Sequence, residues 1–229
     1  MPESIVVLTG AGISAESGLG TFRGQGGLWE NHKVEDVATP EAFERNPELV
    51  LRFYNERRKN LLKTNPNSAH KALVELEQKF DVQIITQNVD DLHERAGSGK
   101  VMHLHGELLK VRSSVDETLV YDWNKNLKLG DLCEKGSQLR PHIVWFGEAV
   151  HMLTEAINCC SKADLLMVIG TSLAVYPAAG LSHMTRSGIP KYFVDKNIPG
   201  NAYNQGFEFI EEQATIGVPA LVRKLLSRN

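Results

Sequence analysis

The stretch Ser4-Ile5-Val6-Val7-Leu8-Thr9-Gly10-Ala11-Gly12-Ile13-Ser14-Ala15 decides the fold of this 229-residue chain. Its first half is a continuous apolar run, which predicts a strand buried on both faces of a parallel sheet. Its second half fits the pattern G-x-G-x-x-G/A, in which glycines let the backbone turn tightly and approach a phosphate. Taken alone, the glycines also fit a strand-to-helix turn that binds no ligand.

Outside this stretch, apolar runs alternate with helical patterns. Residues 82–86, 165–169 and 191–194 predict further buried strands, and residues 101–104 and 143–145 predict weaker ones. Helical patterns cover residues 47–62, 68–80, 91–96, 149–161, 177–187 and 219–226. This alternation predicts an α/β fold, a doubly wound parallel sheet with helices on both faces.

Two stretches interrupt the alternation and predict a small inserted lobe. Residues 24–66 are too long for a simple crossover, and residues 107–141 are polar without clear periodicity. We therefore expect one domain, residues 1–229. Its large part spans about 1–23, 67–106 and 142–229, and its small lobe comes from 24–66 and 107–141. The anchors expected within the lobe are Tyr121, Trp123, Leu127 and Leu132.

Composition excludes several classes of function. The 25 basic and 28 acidic residues give a net charge of -3, so no basic excess points to nucleic acid. The chain has no run of roughly 18 apolar residues that would predict a membrane span, and its N-terminus lacks the basic region of a signal peptide. The three cysteines, Cys133, Cys159 and Cys160, are too few for a disulfide framework and favour a reducing cytoplasm.

Polar residues come directly after two more of the predicted strands. Gln87-Asn88-Val89-Asp90 follows one, and Gly170-Thr171-Ser172 follows another. Helix capping explains a single residue of this kind but not the whole cluster. Because the carboxyl ends of parallel strands share one edge of a sheet, these turns predict a ligand crevice there.

The residues beyond the glycine turn disfavour an ordinary dehydrogenase. The dinucleotide fingerprint of that class needs a second strand within about 30 residues that ends in an acidic residue for the ribose. Glu30, Glu35 and Asp36 end no predicted strand, because the next convincing one starts at Val82. We therefore expect a nucleotide held differently, with a long loop over it.

Two histidines, His103 and His105, alternate along a short predicted strand and so share one face. A lone histidine in a strand is more often structural than catalytic. Gly106, the next residue, allows another backbone or a ligand to come close. An imidazole titrates near neutrality and suits a general base.

The ordered set of motifs resembles the sirtuin family, and most closely its bacterial class III, of the desuccinylase and deacetylase kind. The matching segments are residues 10–18 with Thr21-Phe22-Arg23, then Thr86-Gln87-Asn88-Val89-Asp90, then Leu104-His105-Gly106, then Val144-Trp145-Phe146-Gly147-Glu148, and then Gly170-Thr171-Ser172. The segments keep the family's order along most of the chain.

The resemblance implies a Rossmann-like large domain and an NAD-dependent protein-lysine deacylase that releases nicotinamide and acyl-ADP-ribose. NAD and an acyl-lysine protein or peptide would enter the cleft, with His105 as general base. Val144, Trp145, Phe146, Gly147 and Glu148 would pair with the peptide as an added strand. The residues implied to bind the cofactor are Gly10, Ala11, Gly12, Ile13, Ala15, Glu16, Thr21, Phe22, Arg23, Gln87, Asn88, Val89, Asp90, Gly170, Thr171, Ser172, Asn197 and Ala214.

Within that set the resemblance implies distinct roles. Gln87, Asn88 and Asp90 would line the nicotinamide and ribose, with Ile13 and Phe22 closing over the nicotinamide. Arg23 would lie in a flexible cofactor loop. The adenosine side would be held by residues 170–172 and Asn197, with Ala214 near the adenine.

The acyl preference is predicted from Tyr54 and Arg57, which lie three residues apart and so share a helix face. A guanidinium and a phenol together can bind a carboxylate. The spacing alone favours a solvated basic face, since Arg58 and Lys59 come next. With the resemblance, the pair implies a pocket for succinyl or malonyl groups.

The sequence also departs from the family. Most sirtuins carry two Cys-x-x-Cys pairs that bind zinc, whereas only Cys133 lies between His105 and Phe146, so we predict no zinc. Thr21 stands where many relatives have aspartate. Two other functions stay open, an ADP-ribosyltransferase that uses the same NAD site and a non-catalytic module that senses NAD.

Overall fold

The computed structural model describes residues 2–21 and 32–228. None of the helices in these two ranges is long and apolar enough to cross a membrane. The strands are β1 (Ser4–Thr9), β2 (Asp81–Thr86), β3 (Val101–His103), β4 (Gly106–Ser113), β5 (Val120–Asp122), β6 (Leu139–Ile143), β7 (Leu165–Ile169), β8 (Lys191–Val194) and β9 (Glu208–Ile210). The α-helices are α1 (Ala11–Ala15), α2 (Val34–Val37), α3 (Pro40–Arg45), α4 (Pro47–Leu61), α5 (Ser68–Leu76), α6 (Leu92–Ala96), α7 (Leu153–Lys162) and α8 (Ala214–Leu226), and 3-10 helices cover Ala178–His183 and Gly200–Ala202.

The main sheet is parallel and runs in the order β3-β2-β1-β7-β8-β9. The chain goes from β1 outward to β2 and β3, then crosses back to β7 on the other side of β1. The direction of winding therefore reverses between β1 and β7, which is the place where doubly wound sheets bind ligands. This confirms the predicted α/β class and its Rossmann-like doubly wound sheet.

Strand β1 is buried on both faces, as its apolar run predicts. Ile5 and Val7 pack in the core that includes side chains of α5 and α8. Val6 and Leu8 pack in a second core with residues of α7 and the first 3-10 helix. Strand β1 therefore contributes side chains to both apolar layers. Each fully buried aliphatic side chain stabilises the fold by about 1.5–3 kcal/mol.

A second, antiparallel sheet of order β5-β4-β6 lies in the small lobe. The strand predicted at residues 143–145 is wrong, because β6 ends at Ile143 and pairs with β4 instead of the main sheet. Gly106 starts β4 with φ 81°, and a Cβ there would lie 2.1 Å from the carbonyl oxygen of His142. Only glycine lets β4 and β6 approach so closely.

The small lobe has its own apolar cluster. Leu127, 1% exposed, belongs to it, and Tyr121 and Trp123 pack against it, as predicted. Leu132 is 54% exposed, so its predicted role as an anchor is wrong. The adjacent Cys133 is buried in the cluster instead, as expected where successive side chains of an extended segment point to opposite sides.

Helix α8 begins at Ala214, five residues earlier than predicted, and Pro219 lies inside it. Proline has no N–H, so the carbonyl of Thr215 loses its partner four residues on. The Ser68 hydroxyl donates to that carbonyl at 2.9 Å. This bond supplies the missing donor and joins α8 to the start of α5.

Two further differences concern the second half of the chain. The helix predicted at residues 177–187 is the 3-10 helix Ala178–His183, and β9 lies beyond it without having been predicted. The division into a large part and a small lobe formed by residues 24–66 and 107–141 stays a prediction.

Candidate active site

The turns after β1 and β7 touch at the point where the sheet reverses. The Gly12 amide donates to the Gly170 carbonyl at 2.8 Å, and Gly10 donates to Ile169 at 3.0 Å. A Cβ on Gly12 would lie 2.6 Å from the Gly170 Cα, and Gly170 has φ 62°. The predicted convergence of these two glycine turns is therefore present, and it requires glycine on both sides.

Side-chain amides of the turn after β2 form hydrogen bonds to the turns after β1 and β7. Asn88 donates through Nδ2 to the Gly10 carbonyl at 3.1 Å and to Ser14 Oγ at 3.3 Å. Gln87 donates through Nε2 to Thr171 Oγ1 at 3.2 Å. The three polar turns predicted from separate parts of the sequence thus form one hydrogen-bonded crevice.

A small, partly open cavity lies beside this crevice. Ser14, Asn88 and Asp90 form its polar side, and Arg57 reaches it from helix α4. Gly18 and Gly20 belong to the loop that leaves α1. The cavity therefore joins the nucleotide-type crevice to the helix that carries the predicted carboxylate-binding pair.

His105 is half-buried between β3 and β4, and its Nδ1 lies 3.0 Å from the Gln87 carbonyl oxygen. A carbonyl can only accept, so Nδ1 carries the proton and Nε2 keeps a lone pair. Burial lowers the pKa of His105, although the bond to Gln87 acts in the opposite direction. The ring is therefore neutral near pH 7 and has the tautomer of a general base.

His103 has a different environment. Its Nδ1 lies 3.0 Å from the Asn88 carbonyl oxygen, and its Nε2 lies 2.7 Å from Glu94 Oε1. Burial opposes protonation, but the bond to Glu94 and its charge outweigh burial and raise the pKa of His103. Both ring nitrogens of His103 are therefore hydrogen-bonded, and the ring stabilises the turn after β2. His105, in contrast, keeps Nε2 as a proton acceptor.

Burial also determines the charges around the cavity. It raises the pKa of the Asp90 carboxyl, against a backbone bond from Leu92 at 3.2 Å and a bond with Ser14. Burial lowers the pKa of Arg57 to about 10, with Tyr54 and Asp90 acting against it. Arg57 therefore remains a cation near neutral pH.

Two buried histidines, His70 and His93, lie next to residues of the crevice. The sequence did not indicate that they form a pair. His93 Nε2 lies 3.0 Å from Thr9 Oγ1, His70 Nε2 lies 3.5 Å from Ser14 Oγ, and the two ring centroids are 4.9 Å apart. His70 also completes a capping box with Asn67 at the start of α5. That capping pattern was a signal for His70, but nothing local in sequence marked His93.

The His70 environment predicts a dependence of stability on pH. Burial lowers its pKa from 6.5 to about 4. Between these values the unfolded chain binds the proton and the folded chain does not, so the free energy of unfolding falls as the pH falls. We expect the difference between the parent protein and His70→Gln to change by up to about 1.4 kcal/mol per pH unit in this window.

Urea unfolding at intervals from pH 7 to pH 4 measures this effect. Glutamine at the third helical position still serves a capping box, so it is a suitable replacement. Parallel stability curves for the two proteins would show that His70 does not cause the dependence.

The predicted cofactor residues lie at several different places in the fold. The Ile13 side chain is buried in the core with α5 and α8, and its predicted closure over nicotinamide stays a prediction. Glu16 bonds the Thr215 hydroxyl of α8. Phe22 and Arg23 lie outside the described residues. The other predicted cofactor residues lie at these places: Ala11 and Ala15 on α1, Val89 at the cavity wall, Thr21 at the end of the first described range, Ser172 and Asn197 exposed, and Ala214 at the start of α8.

Most backbone amides of the segment 144–148 already donate hydrogen bonds within the chain. The amides of Val144, Trp145 and Phe146 donate to the His105 carbonyl (3.0 Å), Glu148 Oε2 (2.8 Å) and the Ala38 carbonyl (3.0 Å). A peptide strand added here could therefore not pair with the amides of residues 144–146. The predicted pairing of a substrate with this segment, including Gly147, stays a prediction.

Within the two described ranges, no group of three or more His, Cys, Asp or Glu side chains is placed to hold a metal ion. Cys133 lies 3.0 Å from Ser137 Oγ. The absence of zinc remains a prediction for metal analysis of the purified protein.

A polar crevice at the switch point of a doubly wound sheet is the architecture of nucleotide-binding α/β proteins. The model of the Sir2 family matches residues 10–177, and the chain belongs to this family. The NAD-dependent protein deacylase of Helicobacter pylori is 53% identical over 224 residues, 98% of each chain. This confirms the resemblance to sirtuins.

Solved structures agree with this membership. A Sir2 homologue variant in complex with ADP-ribose has a TM-score of 0.91 at 39% identity, covering 100% of this chain and 95% of that one. A complex of Sir2 with a p53 peptide and NAD+ has a TM-score of 0.80 at 35% identity, covering 98% and 92%.

Proposed function

We propose that this chain is an NAD-dependent protein-lysine deacylase with His105 as its general base. The observation that carries the proposal is the neutral, half-buried imidazole whose Nδ1 is engaged by the Gln87 carbonyl at the edge of the crevice. The name of the Helicobacter pylori relative and the ligands in the neighbouring structures support the same activity.

The residues of the crevice fit NAD. The backbone at the start of α1 suits phosphate groups. The amides of Gln87 and Asn88 and the carboxylate of Asp90 suit ribose hydroxyls and a carboxamide. Thr171 and Ser172 supply hydroxyls at the neighbouring turn, where the second nucleoside would lie.

The reaction can be derived from what the chain holds in place. When bound, NAD supplies an electrophilic ribose carbon from which nicotinamide leaves. Asn88, Asp90 and the cavity wall orient the ribose toward the acyl oxygen of the substrate lysine. His105 Nε2 would accept a proton from a ribose hydroxyl; that oxygen would then bond the acyl carbon, the bond from this carbon to the lysine nitrogen would break to release the amine, and water would supply the remaining oxygen. Because an amide oxygen is a poor nucleophile, most of the rate comes from positioning.

Peptides that carry acetyl-, succinyl- or malonyl-lysine, incubated with NAD and monitored by mass, test this activity. Deacylated peptide with nicotinamide and acyl-ADP-ribose in equal amounts is the expected result. Consumption of NAD with unacylated protein would favour an ADP-ribosyltransferase. Binding of NAD without turnover of any peptide would favour a sensing module.

For the acyl group we propose a carboxylate-binding pocket at Tyr54 and Arg57. Both lie on α4, one turn apart, and Arg57 reaches the same cavity as Asp90. Burial strengthens the attraction between a guanidinium and an anion, because little water screens it. A cytoplasmic location stays a prediction.

We predict that Arg57→Met lowers kcat/KM for a succinyl-lysine peptide about 10- to 100-fold more than for the acetyl-lysine peptide. A hydrogen bond between charged partners contributes about 1.5–3 kcal/mol. An acetyl group has no carboxylate, so the acetyl peptide does not lose this contribution. Arg52→Met, on the exposed face of the same helix, is the matched control and leaves the ratio unchanged. Equal losses on both acyl groups would rule out the pocket.

A further inference from the structure

We infer that Trp145 is a positioning residue for acyl-group selection, since its indole N–H orients the Tyr54 hydroxyl as a donor to the acyl carboxylate. The inference rests on the proposed carboxylate pocket and adds a residue to it. Trp145 lies 91 positions from Tyr54 in sequence, and its indole is not expected to touch the acyl group itself.

The geometry between the two rings sets the direction of the phenol. Trp145 Nε1 donates to Tyr54 Oη at 2.9 Å, and both residues are buried, at 2% and 4% exposure. An indole nitrogen can only donate, so the Tyr54 oxygen is the acceptor. The phenol hydrogen must therefore point away from Trp145.

The hydroxyl hydrogen of Tyr54 is available to donate to a ligand. Within residues 2–21 and 32–228 the hydrogen bond from Trp145 is the one that the Tyr54 hydroxyl makes, and the hydroxyl donates none there. Aromatic rings surround it instead, with the Phe53 centroid 5.1 Å and the Trp145 centroid 6.3 Å from the Tyr54 ring. A buried donor without an acceptor is unfavourable, and a carboxylate oxygen from the acyl chain would satisfy it.

Both groups of the pocket keep their protons at the pH at which the enzyme would work. Burial raises the pKa of Tyr54 to about 12, against Arg57 and the bond from Trp145. Arg57, with a pKa of about 10, is charged. Two donors, the phenol and the guanidinium, would then meet the acyl terminus, and this combination favours a carboxylate over a methyl group.

The indole is itself held in a fixed orientation. The Arg140 guanidinium lies 3.3 Å from the centre of the Trp145 ring, and Glu148 accepts from the Trp145 amide at 2.8 Å. Phe43 packs on the ring with centroids 5.5 Å apart. The direction of the Tyr54 hydroxyl is thus set by the segment that leaves β6.

A double-mutant cycle of Trp145→Phe and Tyr54→Phe tests the inference. The quantity measured is the succinyl-to-acetyl ratio of kcat/KM with NAD, and it does not depend on the folded fraction because both peptides are assayed on one preparation. We expect Trp145→Phe to lower the ratio about 10-fold, through a higher KM for the succinyl peptide. In the Tyr54→Phe background the second change leaves the ratio as it is, because no hydroxyl remains to orient.

A ratio that Trp145→Phe does not move, while Tyr54→Phe and Arg57→Met lower it, would overturn the role of Trp145 and keep the pocket. Independent, additive losses in the double variant would also overturn it. If neither Tyr54→Phe nor Arg57→Met changes the ratio, the proposed pocket itself is wrong.

A second measurement needs no variant at Trp145. In the ¹H–¹⁵N spectrum of the parent protein without NAD, so that no peptide is turned over, the indole signal of Trp145 should shift further with the succinyl-lysine peptide than with the acetyl-lysine peptide. Trp123→Phe and Trp29→Phe assign the three indole signals. Equal shifts with both peptides would contradict the inference.

Discussion

Replacing His105 with asparagine is expected to lower NAD-dependent deacylation by about 10²- to 10⁴-fold, the usual contribution of a general base. Asparagine can still donate from its side-chain amide to the Gln87 carbonyl, which His105 Nδ1 contacts at 3.0 Å. It has no basic nitrogen in place of Nε2. The change therefore removes the proton acceptor and keeps the local hydrogen bond.

Steady-state formation of acyl-ADP-ribose, quantified by mass, measures the loss. His183→Asn is the matched control, since His183 is exposed on the 3-10 helix, and its rate should equal that of the parent. A thermal midpoint near that of the parent would show that His105→Asn is folded. A rate above one tenth of the parent value would mean that another group takes the proton.

The strands that carry this site were predictable because they are buried on both faces. Residues 4–9, 165–169 and 191–194 are continuous apolar runs and match β1, β7 and β8 residue for residue. The polar turns could be assigned to one crevice because parallel strands share an edge. Local sequence was sufficient wherever burial alone determined the element.

The small sheet was not predictable from the same kind of pattern. β5 has only three residues, and none of them is buried. β4 and β6 pair across the intervening polar segment, with an irregular register between Gly106 and Val111. Short, half-exposed strands give no apolar run, so their pairing is decided by tertiary contacts.

The contacts missed within the site join distant segments. His93 reaches Thr9 across 84 residues, and Trp145 reaches Tyr54 across 91. Spacing along one element cannot indicate such pairs.

A second large effect, on the free energy of unfolding, is expected from replacing Glu148. Its carboxylate lies between two buried arginines. It bonds Arg140 at 2.6 and 3.0 Å and Arg112 at 3.2 Å, and these arginines are 7% and 5% exposed. Burial opposes its ionisation, but the bond and the charge of Arg140 outweigh burial and lower the pKa of Glu148. The anion is therefore the counter-charge that allows two guanidinium groups to be buried side by side.

We expect Glu148→Gln to lower the free energy of unfolding by about 3–5 kcal/mol, because it leaves two buried cations without their shared anion. Urea unfolding with an unchanged m-value measures the loss. Glu155→Gln, exposed on α7, is the matched control and should stay within about 0.5 kcal/mol of the parent. A loss below about 1 kcal/mol for Glu148→Gln would mean that water or Glu117 compensates the two arginines.

Uncompensated charge and lost hydrogen bonds can be separated by a second change. Arg140→Met in the Glu148→Gln background removes one of the stranded cations, and apolar replacement of buried ion pairs is often neutral or stabilising. If charge is the cause, the double variant should be more stable than Glu148→Gln alone. If the lost bonds to Trp145 and Arg112 are the cause, it should be less stable, since the stacking of Arg140 on Trp145 is also lost. The sign of that difference therefore decides whether the buried charges hold β4, β6 and the 144–148 segment together.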